Sequence, residues 1–250
     1  ALTCGAIDFV AKPSARTNVA TVIVELIAKI RSSASAHVLP STVIEPSQID
    51  QHPTKRSRPL RKQDKVVIIG ASIGGPRALH TVLTSLPLDL PAGFLIVQHL
   101  QNGFTDSLAK QLDSVSHLTV KEAQNGDVLR AGAALLDPGG WNMTLDEAHA
   151  VVLNKSTTVN GVRSSVDVTM NAIARRYGDA ALGVILSGNG NDGINGAAGI
   201  RRIGGRVIVE DDATATMPQM PRAVIHAGHA DYIVPLDEIA KTLTKLINEN

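Results

Sequence analysis

From Lys65 onward, short continuous apolar runs alternate with stretches in which apolar residues recur every three or four positions. The runs "KVVIIG", "GFLIVQH", "AALGVILSG" and "GRVIVED" lack polar alternation and read as strands buried on both faces. The stretches "PRALHTVLTSL", "FTDSLAKQLDS", "SSVDVTMNAIARRYG", "GINGAAGIRRIG", "MPRAVIHAG" and "LDEIAKTLTKLINEN" have helical spacing. Pro76 stands in the first turn of the first of these, where its missing N–H breaks no helical bond. Ser165 or Ser164 is placed to cap the third. This alternation predicts an α/β fold: a doubly wound, mostly parallel sheet with helices on both faces. The middle pieces "DVLRAGAALLD" and "NMTLDEAHAVVLN" are expected to form an attached antiparallel hairpin.

The pattern differs before Lys65. Residues 1–31 read as a short strand, "AIDFV", and a helix with Val19, Val22, Ile23, Leu26, Ile27 and Ile30 on one stripe. So short a unit cannot bury a core alone. It is expected to be the end of another domain. Residues 32–64 turn rich in Ser, Pro and charge and read as a linker. Its basic run (Lys55, Arg56, Arg58, Arg61, Lys62) is read as solvated linker. The third segment is 65–250, the expected catalytic domain. The first residue is Ala, so a fragment or a processed product is expected.

Composition narrows the function. The net charge is +1, which argues against nucleic acid as the main partner. Aromatics make up 2%, so the core must come from Val, Ile, Leu and Ala. The single cysteine, Cys4, forms no internal disulfide and fits a reducing compartment, hence a cytoplasmic location. No apolar run reaches the roughly 18 residues of a membrane helix, so no membrane insertion is expected.

In open α/β sheets, sites form beyond the carboxyl ends of the strands. Ser72 follows "KVVIIG", His99 follows "GFLIVQ", and Asp192 lies in "GNGND" after the strand "AALGVILSG". A serine, an imidazole and a carboxylate are the set that activates a hydroxyl nucleophile: the imidazole takes the proton, and the carboxylate orients it and balances its charge. The Gly-rich turn Gly70-Ala71-Ser72-Ile73-Gly74-Gly75 also invites a phosphate-binding reading. It lacks the Gly-x-Gly of a dinucleotide fingerprint, the second strand ends in Gln98-His99 rather than an acid, and no Gly-Lys-Ser/Thr is present. The nucleophile reading leads. The glycines let a carbonyl approach backbone N–H groups, and the helix beginning near Pro76 aims its positive end at the site.

These segments resemble the chemotaxis-type protein-glutamate methylesterases, the CheB response regulators. The resemblance spans roughly residues 65–245, through "IGASIGGP", "IVQHLQNGFTDSLAKQLD", "DPGGW", "SSVDV", "ILSGNGNDGINGAAGIRRIGG" and "MPRAVIHAGHADYIVPLDEI". "GAIDFVAKP" is similar to the last strand of a phosphoacceptor receiver domain, with Lys12 at its signature lysine. The resemblance implies a receiver remnant, a linker and an esterase domain. It implies Ser72 as nucleophile, His99 as base and acid, and Asp192 as orienter. The substrates implied are glutamate methyl esters on chemoreceptor cytoplasmic helices, hydrolysed with release of methanol. Deamidation of receptor glutamines is implied as a second activity, and a histidine kinase as partner through the missing receiver. No cofactor or metal is implied. The candidate oxyanion and substrate pocket is Ile73, Gly74, Asn189 and Gly190. Departures from the family pattern surround it: Ile73 in place of threonine, Asn189 in place of methionine, Gln101 and Asn102 after the histidine, and Asn142 in place of histidine. Two further readings stand beside the methylesterase: a catalytically degenerate receptor-binding regulator, and an ester hydrolase with another substrate.

Overall fold

The computed structural model describes residue 55, residues 57–100, 103–155 and 164–249, and the helical positions Ile23, Leu26, Ile27 and Ile30. The expected strand "AIDFV", Lys12, Val19, Val22, Arg56, Gln101 and Asn102 lie outside the described residues.

The order of elements is β1 (Arg58–Pro59), β2 (Lys65–Ala71), α1 (Gly75–Ser85), β3 (Ala92–Gln98), α2 (Thr105–Val115), β4 (Thr119–Glu122), β5 (Arg130–Ala131), β6 (Ala133–Leu136), β7 (Asn142–Leu145) and β8 (Val151–Asn154). Then come α3 (Val166–Tyr177), β9 (Ala181–Ile185), α4 (Ile194–Arg202), β10 (Arg206–Glu210), α5 (Gln219–His226), β11 (Tyr232–Val234) and α6 (Leu236–Asn248). Seven strands form one sheet in the order β11-β10-β9-β2-β3-β6-β4, and every neighbouring pair in it is parallel.

The side chains of β2 show why its run is continuously apolar. Successive residues point to opposite faces. Val67 and Ile69 pack with Leu79 and Leu83 of α1, Leu112 of α2 and Leu243 of α6. Val66 and Ile68 pack on the other face with Met170 of α3, Ile200 of α4 and Val224 of α5. The sheet is therefore covered on both sides, as the alternation predicts.

The middle of the chain differs in part from expectation. β7 and β8 do form an antiparallel hairpin, inside "NMTLDEAHAVVLN". "DVLRAGAALLD" meets it only at its start, where Val128 bridges antiparallel to Ala150. Its β6 runs parallel between β3 and β4 in the main sheet, and its β5 pairs with β1. β4 has no counterpart in the expected elements. It is an edge strand, with Val120 buried and Lys121 exposed, so it lacks the continuous apolar run of the central strands.

The last part of the segment expected as linker is engaged with the domain. Arg58 pairs with buried Asp64 at 2.5 and 2.9 Å, and Arg61 N–H donates to the same carboxylate at 2.7 Å. Lys55 pairs with Asp113 at 2.6 Å. Part of the basic run is thus spent on internal ion pairs. Ile23, Leu26, Ile27 and Ile30 are helical, as their spacing predicts, and are 42–58% exposed.

Candidate active site

The sheet reverses its direction of growth between β2 and β9, which lie side by side although a long stretch of chain separates them. Outside the carboxyl ends of such a pair lies the crevice where α/β sheets bind ligands. Ser72 follows β2 directly, and its N–H donates to Ser187 O, beyond β9, at 3.0 Å. His99 follows β3, and its N–H donates to Ala71 O at 3.0 Å. Three neighbouring strand ends are thereby tied together.

His99 Nε2 meets Asp192 Oδ2 at 2.9 Å. Asp192 is 3% exposed. Burial alone would raise its pKa. The bond and charge of His99 and the N–H donors of α3 outweigh burial and hold the carboxyl below its ordinary value. The donors are Val166 N at 2.8 Å, Asp167 N at 3.0 Å and the Ser165 hydroxyl at 3.0 Å. Asp192 therefore sits at the positive end of α3 and is kept ionised. Asn142, buried, accepts from Ser165 N at 3.2 Å and steadies the turn before that helix.

Ser72 stands on the adjacent strand end, and among the described residues its hydroxyl makes no hydrogen bond to the imidazole. With Nε2 turned to Asp192, Nδ1 is the ring nitrogen left for proton transfer. The serine sits in a turn that only glycine can follow. Gly74 has φ of +80°, and a Cβ there would lie 2.6 Å from Thr216 and 2.7 Å from Ser187 Oγ. From the other side, a Cβ on Gly188 would lie 2.9 Å from that of Ser72, so Gly188 packs directly against the nucleophile.

The four candidate pocket residues divide. Among the described residues the N–H groups of Ile73, Gly74 and Asn189 donate no hydrogen bond. Free N–H groups beside a nucleophile are what a developing oxyanion requires. Gly190 N–H is already taken by Gln219 Oε1 at 3.2 Å. Ile73 acts through its main chain: its carbonyl accepts from Ser187 Oγ at 2.9 Å, and its side chain is buried.

Other residues of the site were not singled out from the sequence. Gln98 is buried and its Nε2 donates to Ser72 O at 2.8 Å. Ser165, at the cap position its sequence predicts, also donates to Asp192. Ser187, Asp137 and Glu210 lie at or just past the ends of β9, β6 and β10. The strand-end rule that selects Ser72 and His99 applies to them equally and was the available signal.

Comparison with known proteins gives the family. A sequence model of the CheB methylesterase family matches residues 67–243. The chain belongs to the CheB methylesterase family. It is 40% identical, over 100% of its length and 72% of the relative, to a protein-glutamate methylesterase/protein-glutamine glutaminase of Symbiobacterium thermophilum. A protein of the same name from Thermotoga maritima is 38% identical, over 99% of the chain and 72% of the relative. The crystal structure of the Thermotoga maritima CheB methylesterase catalytic domain superposes with a TM-score of 0.71 at 42% identity, covering 73% of this chain and 98% of that domain. This CheB-family chain is a hydrolase of the α/β class, and the crevice just described is its active-site candidate.

Proposed function

We propose that Ser72, His99 and Asp192 hydrolyse glutamate methyl esters on the cytoplasmic helices of chemoreceptors, releasing methanol, and hydrolyse receptor glutamine amides by the same route. The observation that carries this reading is the contact of His99 Nε2 with an ionised Asp192 at 2.9 Å, at the strand end next to Ser72. The relatives' shared name, protein-glutamate methylesterase/protein-glutamine glutaminase, supplies the substrates.

The steps follow from the geometry. Ser72 Oγ attacks the side-chain carbonyl, and His99 takes its proton at the nitrogen not held by Asp192. The imidazolium forms beside a carboxylate that already accepts from it. The oxyanion of the tetrahedral intermediate is stabilised by the free N–H groups of Ile73, Gly74 and Asn189, with the positive end of α1 behind them. His99 returns the proton to methanol, or to ammonia from a glutamine, as the C–O or C–N bond breaks. Water then attacks the acyl-enzyme with His99 as base, which frees glutamate and Ser72.

Residues 1–31 are read as the last strand and helix of a receiver, 32–64 as its linker, with a histidine kinase reached through that receiver in the cytoplasm. Supporting this, the Symbiobacterium relative aligns with the whole chain, whereas the solved catalytic domain covers 73% of it. Among the described residues no helix is long and apolar enough to cross a membrane.

The test is methanol release from methylated receptor. Ser72→Ala is expected to reduce kcat by more than about a thousandfold with unchanged circular dichroism. Turnover within about tenfold of wild type would reject covalent serine catalysis. Release by neither protein, with wild type still labelled by a serine-reactive ester, would point to a different ester substrate. Absence of both reactions would mark a degenerate regulator.

A further inference from the structure

We propose that Glu210 is a positioning residue for this hydrolysis: acting through Ser187, it holds the nucleophile turn and the Gly188–Gly190 loop in one geometry. The inference rests on the triad reading above.

Ser187 is the joint between the two halves of the site. Its carbonyl accepts from Ser72 N at 3.0 Å. Its hydroxyl donates to Ile73 O at 2.9 Å and accepts from Met217 N at 2.7 Å. The next residue, Gly188, donates its N–H to Met217 O at 2.8 Å and accepts from Met220 N at 2.9 Å. The nucleophile turn, the free N–H of Asn189 and the 217–220 segment all depend on where Ser187 sits. What holds Ser187 N–H is Glu210 Oε2, at 2.7 Å.

Glu210 is the last residue of β10 and is fully buried. Its other oxygen, Oε1, accepts from Thr214 Oγ1 at 3.3 Å, and Thr214 Oγ1 in turn accepts from Leu236 N at 3.0 Å. A buried carboxyl at a strand end is costly unless its bonds are needed. Strand packing does not require one here, since Val207, Ile208 and Val209 fill the remaining buried positions of β10.

The charged groups around Glu210 are few. Arg77 from α1 favours the carboxylate, and Asp211 beside it opposes it. In the 211–217 turn, Asp212 is paired with Arg222 of α5 at 2.5 Å. β11 offers Val234 opposite Glu210. Burial dominates and raises Glu210 to about 7. Both forms of the carboxyl can accept from Ser187 N–H, but only the carboxylate makes the stronger, charge-assisted bond. The clamp on Ser187 therefore tightens as pH rises through neutrality, and kcat is expected to carry that ionisation.

The experiment measures kcat and KM for methanol release from methylated receptor between pH 5 and 9 in wild type, Glu210→Gln, Glu210→Ala and Ser72→Ala. Glu210→Ala is expected to lose at least tenfold in kcat with KM within threefold. Glu210→Gln keeps an oxygen for Ser187 N–H, so it should recover at least a third of the wild-type kcat. Its profile should lack the step near pH 7. Glu210→Ala within threefold of wild type in kcat, Glu210→Gln as slow as Glu210→Ala, or a Glu210→Gln profile identical to wild type would each overturn the proposal. If Glu210→Ala fails to fold, the Glu210→Gln profile decides alone. Turnover by Ser72→Ala would bring down the triad reading and this inference together. Loss in Ser72→Ala with both Glu210 variants unaltered would sink the positioning role only.

Discussion

Two buried aspartates beyond strand ends, Asp192 and Asp137, have opposite charge states, and the donors around each decide which. Asp192 accepts from two backbone N–H groups, a hydroxyl and an imidazole, and stays ionised. Asp137 is fully buried, and the Ser164 hydroxyl and Gly139 N–H, the latter at 3.3 Å, favour its carboxylate too weakly to offset burial. Burial dominates, the charges of Glu122 and Asp192 add to it, and Asp137 is pushed up to about 8. Its folded value lies above the roughly 3.9 of an unfolded aspartate. The native state therefore binds more protons than the unfolded chain between those values, and wild-type stability falls as pH rises through that window. Asp137→Asn removes this titration without changing shape. In urea titrations the variant should match wild type below about pH 4 and exceed it by a margin that widens by up to about 1.4 kcal/mol per pH unit towards pH 8. A margin independent of pH would show that Asp137 is ionised in the fold.

At the scale of elements, α3 and α4 cap each other across the site. Asp192, just before α4, accepts from Val166 and Asp167 at the start of α3. Asp167 of α3 accepts from Gly193 N at 3.0 Å, Gly196 N at 2.7 Å and Asn195 Nδ2 at 3.2 Å. Each helix start is thus closed by a carboxylate from the other, and Asp192, the partner of His99, is part of the exchange. Asp167→Ala orphans two buried backbone donors and is expected to cost about 2–3 kcal/mol, read from the denaturant midpoint. Ser165→Ala removes one cap bond and one donor to Asp192, and about 1 kcal/mol is expected. Equal, near-zero losses would refute the mutual cap. The helices and central strands were legible because burial on one face or on two imposes distinct periods. β4 was not, since four residues with an exposed Lys121 carry no period to read, and β6 was legible as a strand but not its parallel place between β3 and β4. Ser72, His99 and Asp192 were picked out because they follow strand ends, and the structure brings His99 and Asp192 into contact. Glu210 stood at a strand end too, but in "VIVEDD" it reads as the first residue of a polar turn. Only the bond to Ser187, brought close by the parallel pairing of β9 and β10, shows its place.

At the scale of the whole molecule, the bonds among the described residues that build the site are made between residues 65 and 249. The boundary for removing the N-terminal segment is set lower than residue 64, because β1 pairs with β5 and Asp64 is buried with three bonds from Arg58 and Arg61. Removal of residues 1–54 should leave kcat/KM for methanol release within about threefold, under roughly 0.7 kcal/mol. It should also lower binding of an apolar dye, since it takes away the exposed stripe of Ile23, Leu26, Ile27 and Ile30. Removal of residues 1–64 exposes the edge of β5 and deletes the Arg58–Asp64 pair, so its melting temperature should fall below that of the shorter deletion. Surface ion pairs contribute little, but this one has a buried partner and a strand pairing beside it. A gain or loss of tenfold in kcat/KM on removing residues 1–54 would show that the N-terminal segment acts on the site, with the stripe as the surface through which it does so.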